Sequence, residues 1–122
     1  MPDVDPRMLP IVRFLEEDIP YNRFLGIKAE ALGHGRCVLR VPWRDEFIGD
    51  PSRPAVHGGV TSGLIDTAGG GAVFSKLKDP GDRCSTVDLR IDYLRPGPSA
   101  DLVCEARVVR LGNRVAVTRM EV

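Results

Sequence analysis

The residues of this chain best placed to do chemistry lie within one stretch, "VHGGVTSGLIDTAGGGAVFSKL", Val56 to Leu77. His57-Gly58-Gly59 stands where an apolar run begins to read as a helix. Unpaired backbone N–H groups and the positive end of the helix dipole meet at such a start, and glycine lets a substrate oxygen approach the backbone. These are the makings of an oxyanion hole. Asp66 sits in the middle of the same run, among Val60, Leu64, Ile65, Ala68, Ala72, Val73 and Phe74. An ionised carboxylate in that company is costly unless it is paired, hydrogen-bonded or wet. Two readings stay open from the residues alone: Asp66 faces a solvent-filled groove or bonds a neighbouring amide, or it lies in a cleft and serves as a base or nucleophile.

Other reactive types carry less. Phosphate-binding patterns G-x-x-x-x-G-K-[ST] and G-x-G-x-x-G are absent. Cys37, Cys84 and Cys104 are odd in number and lack a C-x-x-C spacing, so neither a disulfide framework nor a zinc site is expected. Nucleophilic catalysis by Cys84 with a histidine has no spacing in its favour, and all three thiols are read as small buried hydrophobes. His34, between Gly33 and Gly35, is read as a solvent-exposed hairpin tip.

The elements that must position these residues follow from periodicity. Met8 to Ile19 places Leu9, Val12, Leu15 and Ile19 at helical spacing, with Pro20 ending the pattern: a short amphipathic cover over residues 1–20. "GIKAEALGHGRCVLRVPW" gives two strands around Gly33-His34-Gly35. "RDEFIGDPSRPAV" is a polar loop leading into the long helix. From Val60 to Leu77 that helix is expected to run about 27 Å. Gly69, Gly70 and Gly71 cost it roughly 1 kcal/mol each relative to alanine, a penalty best explained by close approach of strands. After the turn "KDPGDR" come three strand candidates, "CSTVDLRIDYL", "ADLVCEARVVRL" and "RVAVTRMEV", the last two joined at Gly112-Asn113. The first alternates, with Val87, Leu89, Ile91 and Tyr93 on one face and Thr86, Asp88, Arg90 and Asp92 on the other. The order implies an α+β fold, an antiparallel sheet with one helix across one face.

Bulk numbers bound the rest. The 122 residues suit a single domain, too small to enclose a roomy pocket unaided, so a dimer is expected. Seventeen basic residues balance seventeen acidic ones, which gives no reason to expect nucleic acid or an anionic membrane as partner. Without a signal-like or membrane-spanning apolar run, a cytoplasmic location is expected.

"HGGVTSGLIDTAGG", followed about fifteen residues later by "TVDLRIDYLRP", resembles the hotdog-fold acyl-CoA thioesterases, in particular the phenylacetate-degradation type. The resemblance covers roughly Phe24 to Val122. It implies a long helix wrapped by a curved antiparallel sheet, with active sites at the interface of a homodimer; a dimer of dimers is left open. It places the catalytic carboxylate on Asp66, nine positions after His57. It places the amide that polarises the thioester carbonyl on Gly59, with His57 and Gly58 shaping the turn. The hydroxyl that holds the attacking water falls on Thr86. One position departs: where the family commonly carries an asparagine before the H-G-G, the nearest equivalent here is Asp50, followed by Pro51. Two carboxylates then share the site and one pKa rises, or Asp50 points elsewhere.

The implied reaction is hydrolysis of an acyl-CoA to a free acid and coenzyme A, with Asp66 as general base or nucleophile and no metal or redox cofactor. Rival readings are a non-catalytic acyl-CoA binder, for which Asp50 is the argument, and a hydratase or dehydratase in which His57 and Asp66 act as a pair. Arg53, Arg83 and Arg95 are candidates for the coenzyme A phosphates, and Trp43 and Phe47 for an acyl pocket or for packing.

Overall fold

The computed structural model describes residues 3–79 and 81–122. Its frame is a five-stranded sheet. Strand β1 (Asp3–Val4) runs parallel to β2 (Lys28–Gly33), and the other neighbours are antiparallel: β2 to β3 (Arg36–Val41), β3 to β6 (Leu102–Leu111) and β6 to β7 (Ala116–Glu121). The expected hairpin forms around His34, whose φ of 52° is the left-handed turn conformation. His34 is exposed, with Nε2 3.5 Å from Asp5 Oδ2.

The long helix, α3 (Gly58–Phe74), lies across β3, β6 and β7. Leu64, Ala68 and Ala72 recur every four residues and are fully buried, against Cys37 and Leu39 of β3 and Cys104 and Ala106 of β6, all equally buried. Small residues on both sides bring the helix axis close to the sheet. At Gly71 the approach is closest: a Cβ there would lie 2.7 Å from Cys37 Sγ. One at Gly69 would lie 3.1 Å from Thr118 Oγ1, whereas one at Gly70 would meet nothing within 4 Å. Close packing therefore accounts for two of the three consecutive glycines.

The N-terminal cover is longer and less regular than expected. A 3-10 turn (Pro6–Met8), α1 (Leu9–Arg13) and a π-helical turn (Phe14–Asp18) are followed by α2 (Pro20–Leu25). Pro20 ends the first pattern but opens the next helix, because a first-turn residue needs no N–H partner. The cover is fastened at two points. Glu16 Oε2 accepts from Ala29 N at 2.8 Å, beside the register shift in β2. The buried Asn22 donates from Nδ2 to Leu15 O at 2.9 Å and accepts from Thr67 Oγ1 at 3.4 Å.

The polar loop before α3 also contains structure that its composition hides: a short turn (Asp45–Phe47) and a small hairpin, β4 (Ile48–Asp50) with β5 (Arg53–Val56). The strand expected over "CSTVDLRIDYL" is not present. Residues 84–94 carry no regular secondary structure and have no ladder partner among the described residues. They run antiparallel along α3, with a bend at Val87. The bend inverts the alternation, so Cys84 and Thr86 before it and Leu89, Ile91 and Tyr93 after it all turn inward. Pro80, in the expected turn before this segment, lies outside the described residues, as do Met1 and Pro2.

Candidate active site

The start of α3 is held from several directions. His57 is the N-cap, with extended backbone (φ −62°, ψ 130°). Its N–H donates to Phe47 O at 2.6 Å, and Gly49 lies so close that a Cβ there would be 2.8 Å from His57 Cα. Side chains are therefore excluded at position 49, and the β4 strand clamps the turn. Inside the turn the Gly59 N–H donates to His57 Nδ1 at 2.7 Å. That bond places the neutral ring's proton on Nε2. A side chain at Gly59 would strike the ring, since its Cβ would be 2.9 Å from Nδ1.

Asp66 lies two turns along α3, exposed to solvent. Exposure removes the desolvation cost that its apolar neighbours suggested. The Thr86 hydroxyl donates to Asp66 Oδ1 at 2.5 Å across twenty residues of sequence. Thr86 reaches the carboxylate from the 84–94 segment, beside Cys84, whose Sγ lies 4.0 Å from Gly70 O. The structure thus brings Asp66 and Thr86 together at one station of the helix and His57, Gly58 and Gly59 at another. Among the described residues no hydrogen bond joins His57 to Asp66, which the Thr86 hydroxyl engages instead.

Asp50 turns into its own loop. Its Oδ1 accepts from Ser52 N at 2.9 Å and Ser52 Oγ at 2.7 Å, and Arg53 Nε lies 3.7 Å from Oδ2. The Ser52 hydroxyl and amide, with Arg53 beside them, hold its carboxyl below the usual carboxylate range. Arg53 is thereby paired locally. Phe47 is buried at the edge of the core in a T-shaped contact with Trp43, and the Arg44 guanidinium lies 4.4 Å from its ring centroid. Packing is what Phe47 does here.

The thiols are poor nucleophiles. Burial pushes Cys37 and Cys104 up to about 12, and it also raises Cys84. Among the described residues no group of three His, Cys, Asp or Glu side chains is disposed to hold a metal ion.

Tyr93, which the sequence reading treated only as one member of an apolar face, also enters the site. Its hydroxyl donates to Gly58 O at 2.9 Å. The signal was its place on the same alternating run as Thr86, but the contact depends on the bend at Val87, which alternation alone conceals.

With this geometry in place, residues 54–122 match the family model described as thioesterase superfamily. A candidate esterase of Halobacterium salinarum is 42% identical over 101 residues, 81% of this chain and 66% of that protein. The medium/long-chain acyl-CoA thioesterase YigI of Escherichia coli is 31% identical over 115 residues, 84% of this chain and 74% of that protein. Among solved structures, the Escherichia coli PaaI protein of the phenylacetic acid degradation operon superimposes with a TM-score of 0.75 at 26% identity, over 85% of this chain and 72% of that one. A thioesterase-superfamily-related protein of Shewanella oneidensis gives a TM-score of 0.84 at 28% identity, over 93% and 83%. The chain thus spans about two thirds of its halobacterial relative and three quarters of the enterobacterial one.

Proposed function

Because the chain belongs to the thioesterase superfamily, with the hotdog arrangement of a long helix on a curved sheet, we propose that it hydrolyses an acyl-CoA thioester to a free acid and coenzyme A. The observation that carries this reading is the Thr86 hydroxyl on Asp66 Oδ1. That bond orients the carboxylate and leaves Oδ2 to take a proton from water. As the proton passes to Asp66, the water oxygen attacks the thioester carbon and the carbonyl π pair moves onto oxygen. The oxyanion is met by the Gly59 N–H and the positive end of the α3 dipole. Collapse of the tetrahedral intermediate re-forms the carbonyl and expels the coenzyme A thiolate, which then takes up a proton. In the nucleophilic variant, an Asp66 oxygen attacks the thioester carbon and expels the coenzyme A thiolate, and water then hydrolyses the mixed anhydride to the free acid and the Asp66 carboxylate.

The Gly59 N–H is engaged by His57 Nδ1 before substrate arrives. The thioester carbonyl has to replace that ring nitrogen, so His57 acts in this scheme as a cap that yields its donor to substrate. His57 and Gly58 otherwise shape the turn. Asp50, paired in its own loop, is proposed to border the substrate path without taking part in proton transfer. The working assembly is proposed to be a homodimer, since the segment that carries Thr86 leaves Val87 92% and Leu94 90% exposed. YigI is named for medium- and long-chain thioesters, and such substrates are proposed for this chain as well.

The test is thiol release from phenylacetyl-, hydroxybenzoyl-, acetyl-, hexanoyl- and palmitoyl-CoA by the wild type and by Asp66→Asn. Loss of the base is expected to lower kcat by about 100-fold or more, with unfolding unchanged because Asp66 is exposed. Wild-type turnover by a folded Asp66→Asn protein would remove Asp66 from the mechanism. Binding without release by the wild type would favour the acyl-CoA binder, and hydration of an enoyl-CoA would favour the hydratase.

A further inference from the structure

Gly69 turns toward Thr118 of β7, and Gly71 toward Cys37 of β3 and Leu15 of the cover. Gly70 between them points out of the fold, and a Cβ on it would meet nothing within 4 Å. It lies one turn after Asp66, and residues four apart share a helix face. Two segments flank that face. On one side the cover touches α3 at Gly63, where a Cβ would lie 3.0 Å from the Tyr21 hydroxyl, and at Phe74, whose ring meets Phe14 edge-on with centroids 6.1 Å apart. On the other side the 84–94 segment brings Thr86 to Asp66 and Cys84 Sγ to 4.0 Å from Gly70 O. Between the flanks runs an open groove with Asp66 and Gly70 as its floor.

We propose that Gly70 is a specificity-determining residue, whose missing side chain leaves the face of α3 beyond Asp66 open to the alkyl chain of a medium-length acyl group. The inference rests on the thioesterase reading above and deepens it by placing the acyl group and bounding its length. Chemistry sets the direction in which the substrate lies. Toward the start of α3 the groove is bordered by polar groups: the hydroxyls of Tyr21, Ser62 and Tyr93 and the His57 ring. Toward its end it is bordered by Cys84, Phe14 and Phe74, which offer at most a weak hydrogen bond. The amide-bearing arm of coenzyme A suits the first end, and an alkyl chain, with only apolar surface to bury, suits the second. Asp66 and Phe74 are separated by about 12 Å of helix, and the Phe14–Phe74 pair stands at the far end. That span takes a medium-length chain and leaves the remainder of a long one in water.

Neither backbone conformation nor packing accounts for a glycine at this position. Gly70 has the ordinary negative φ of a helix, which any residue adopts. Alanine would make the helix more stable, and no atom of the chain forbids it. What a side chain would do is stand one turn from the Asp66 carboxylate, where the first carbons of an acyl chain have to pass. The vacant position therefore has a use in binding that it lacks in folding.

The test is thiol release from acetyl-, hexanoyl-, decanoyl- and palmitoyl-CoA by the wild type, Gly70→Ala and Gly70→Leu, with thermal unfolding and light scattering of each. The wild type is expected to favour decanoyl- over acetyl-CoA by about tenfold or more in kcat/KM, because each methylene laid on the groove adds to binding. Palmitoyl-CoA should gain nothing further. Gly70→Leu fills the groove and should lower the decanoyl-to-acetyl ratio by about tenfold, with Gly70→Ala between the two. Neither variant should unfold at a lower temperature than the wild type, since the added atoms displace nothing. An unchanged ratio in Gly70→Leu, or a loss shared equally by every chain length, would overturn the role of Gly70 and leave the thioesterase reading standing. A halved scattering mass for Gly70→Leu would also overturn it, by making the open face a contact between copies. A wild type that releases no thiol from any of the four would overturn the reading and the inference together.

Discussion

Thr86 and Asp66 join a loop segment to a helix through one hydrogen bond, and they are the pair proposed to handle the proton. The carboxylate has two oxygens, and the Thr86 hydroxyl commits one of them. What Thr86 supplies is orientation, so its removal should act on kcat rather than on binding. Thr86→Ala is expected to reduce kcat by about ten- to a hundredfold, within the usual range for groups that serve acid–base catalysis. Thr86→Ser keeps the hydroxyl and should recover most of that loss. Steady-state thiol release from one acyl-CoA, with KM read alongside, checks both, and equal kcat in wild type and Thr86→Ala would make the bond incidental. Asp66 and the His57-Gly58-Gly59 turn were legible in the sequence because a carboxylate inside an apolar helix and two glycines at its start are locally anomalous. Thr86 became visible only through the family resemblance. The engagement of the Gly59 N–H by His57, and the grip of Tyr93 on Gly58, depend on side-chain directions that residue spacing does not encode.

At the scale of elements, α3 is set by how closely it can approach the sheet. Gly71 faces Cys37 so tightly that a methyl group there would lie 2.7 Å from the sulfur, whereas Gly70 faces open space. Consecutive glycines in one helix should therefore respond oppositely to the same substitution. Gly70→Ala is expected to stabilise the protein by up to about 1 kcal/mol, through helix propensity and a less flexible unfolded chain. Gly71→Ala gains the same propensity but forces Cys37 or the helix to move, and such overpacking costs about 1–3 kcal/mol. Its net effect should be destabilising by about 1 kcal/mol. Urea unfolding of the two single variants measures both, and equal shifts would mean that helix and sheet give way freely. The long helix was readable as a long run apolar on more than one face, and the first hairpin and the last two strands from strand-like runs joined by glycine turns, although register shifts interrupt both pairings. The cover helix α2 was hidden because Pro20 serves both to end one helix and to begin another. The 84–94 segment was misread as a paired strand because alternation reports which faces are apolar and not whether a neighbour exists. Its bend at Val87 then altered even the faces.

For the molecule as a whole, that segment is the surface proposed to meet a second copy. Among the described residues it belongs to no sheet, and it carries Val87 and Leu94 almost fully exposed, side chains that a second copy could cover. The tip of the β6–β7 hairpin forms a second apolar surface, with Val109 65% and Val115 64% exposed. The two differ in position. Residues 84–94 lie on α3 and carry Thr86 and Tyr93, so pairing along them would rigidify both stations of the candidate site. The hairpin tip extends beyond the buried half of β6, which ends at Ala106. A homodimer built on the 84–94 segment predicts that the wild type scatters light with twice the mass of its chain at micromolar concentration. It also predicts that Val87→Lys with Leu94→Lys yields monomers, since like charges facing each other across the pairing would oppose it. Val109→Lys with Val115→Lys should leave the dimer intact and remove only a larger assembly, if the wild type forms one. Dimers that survive the first pair of substitutions and dissociate with the second would move the interface to the hairpin, leaving the site to be completed within a single chain.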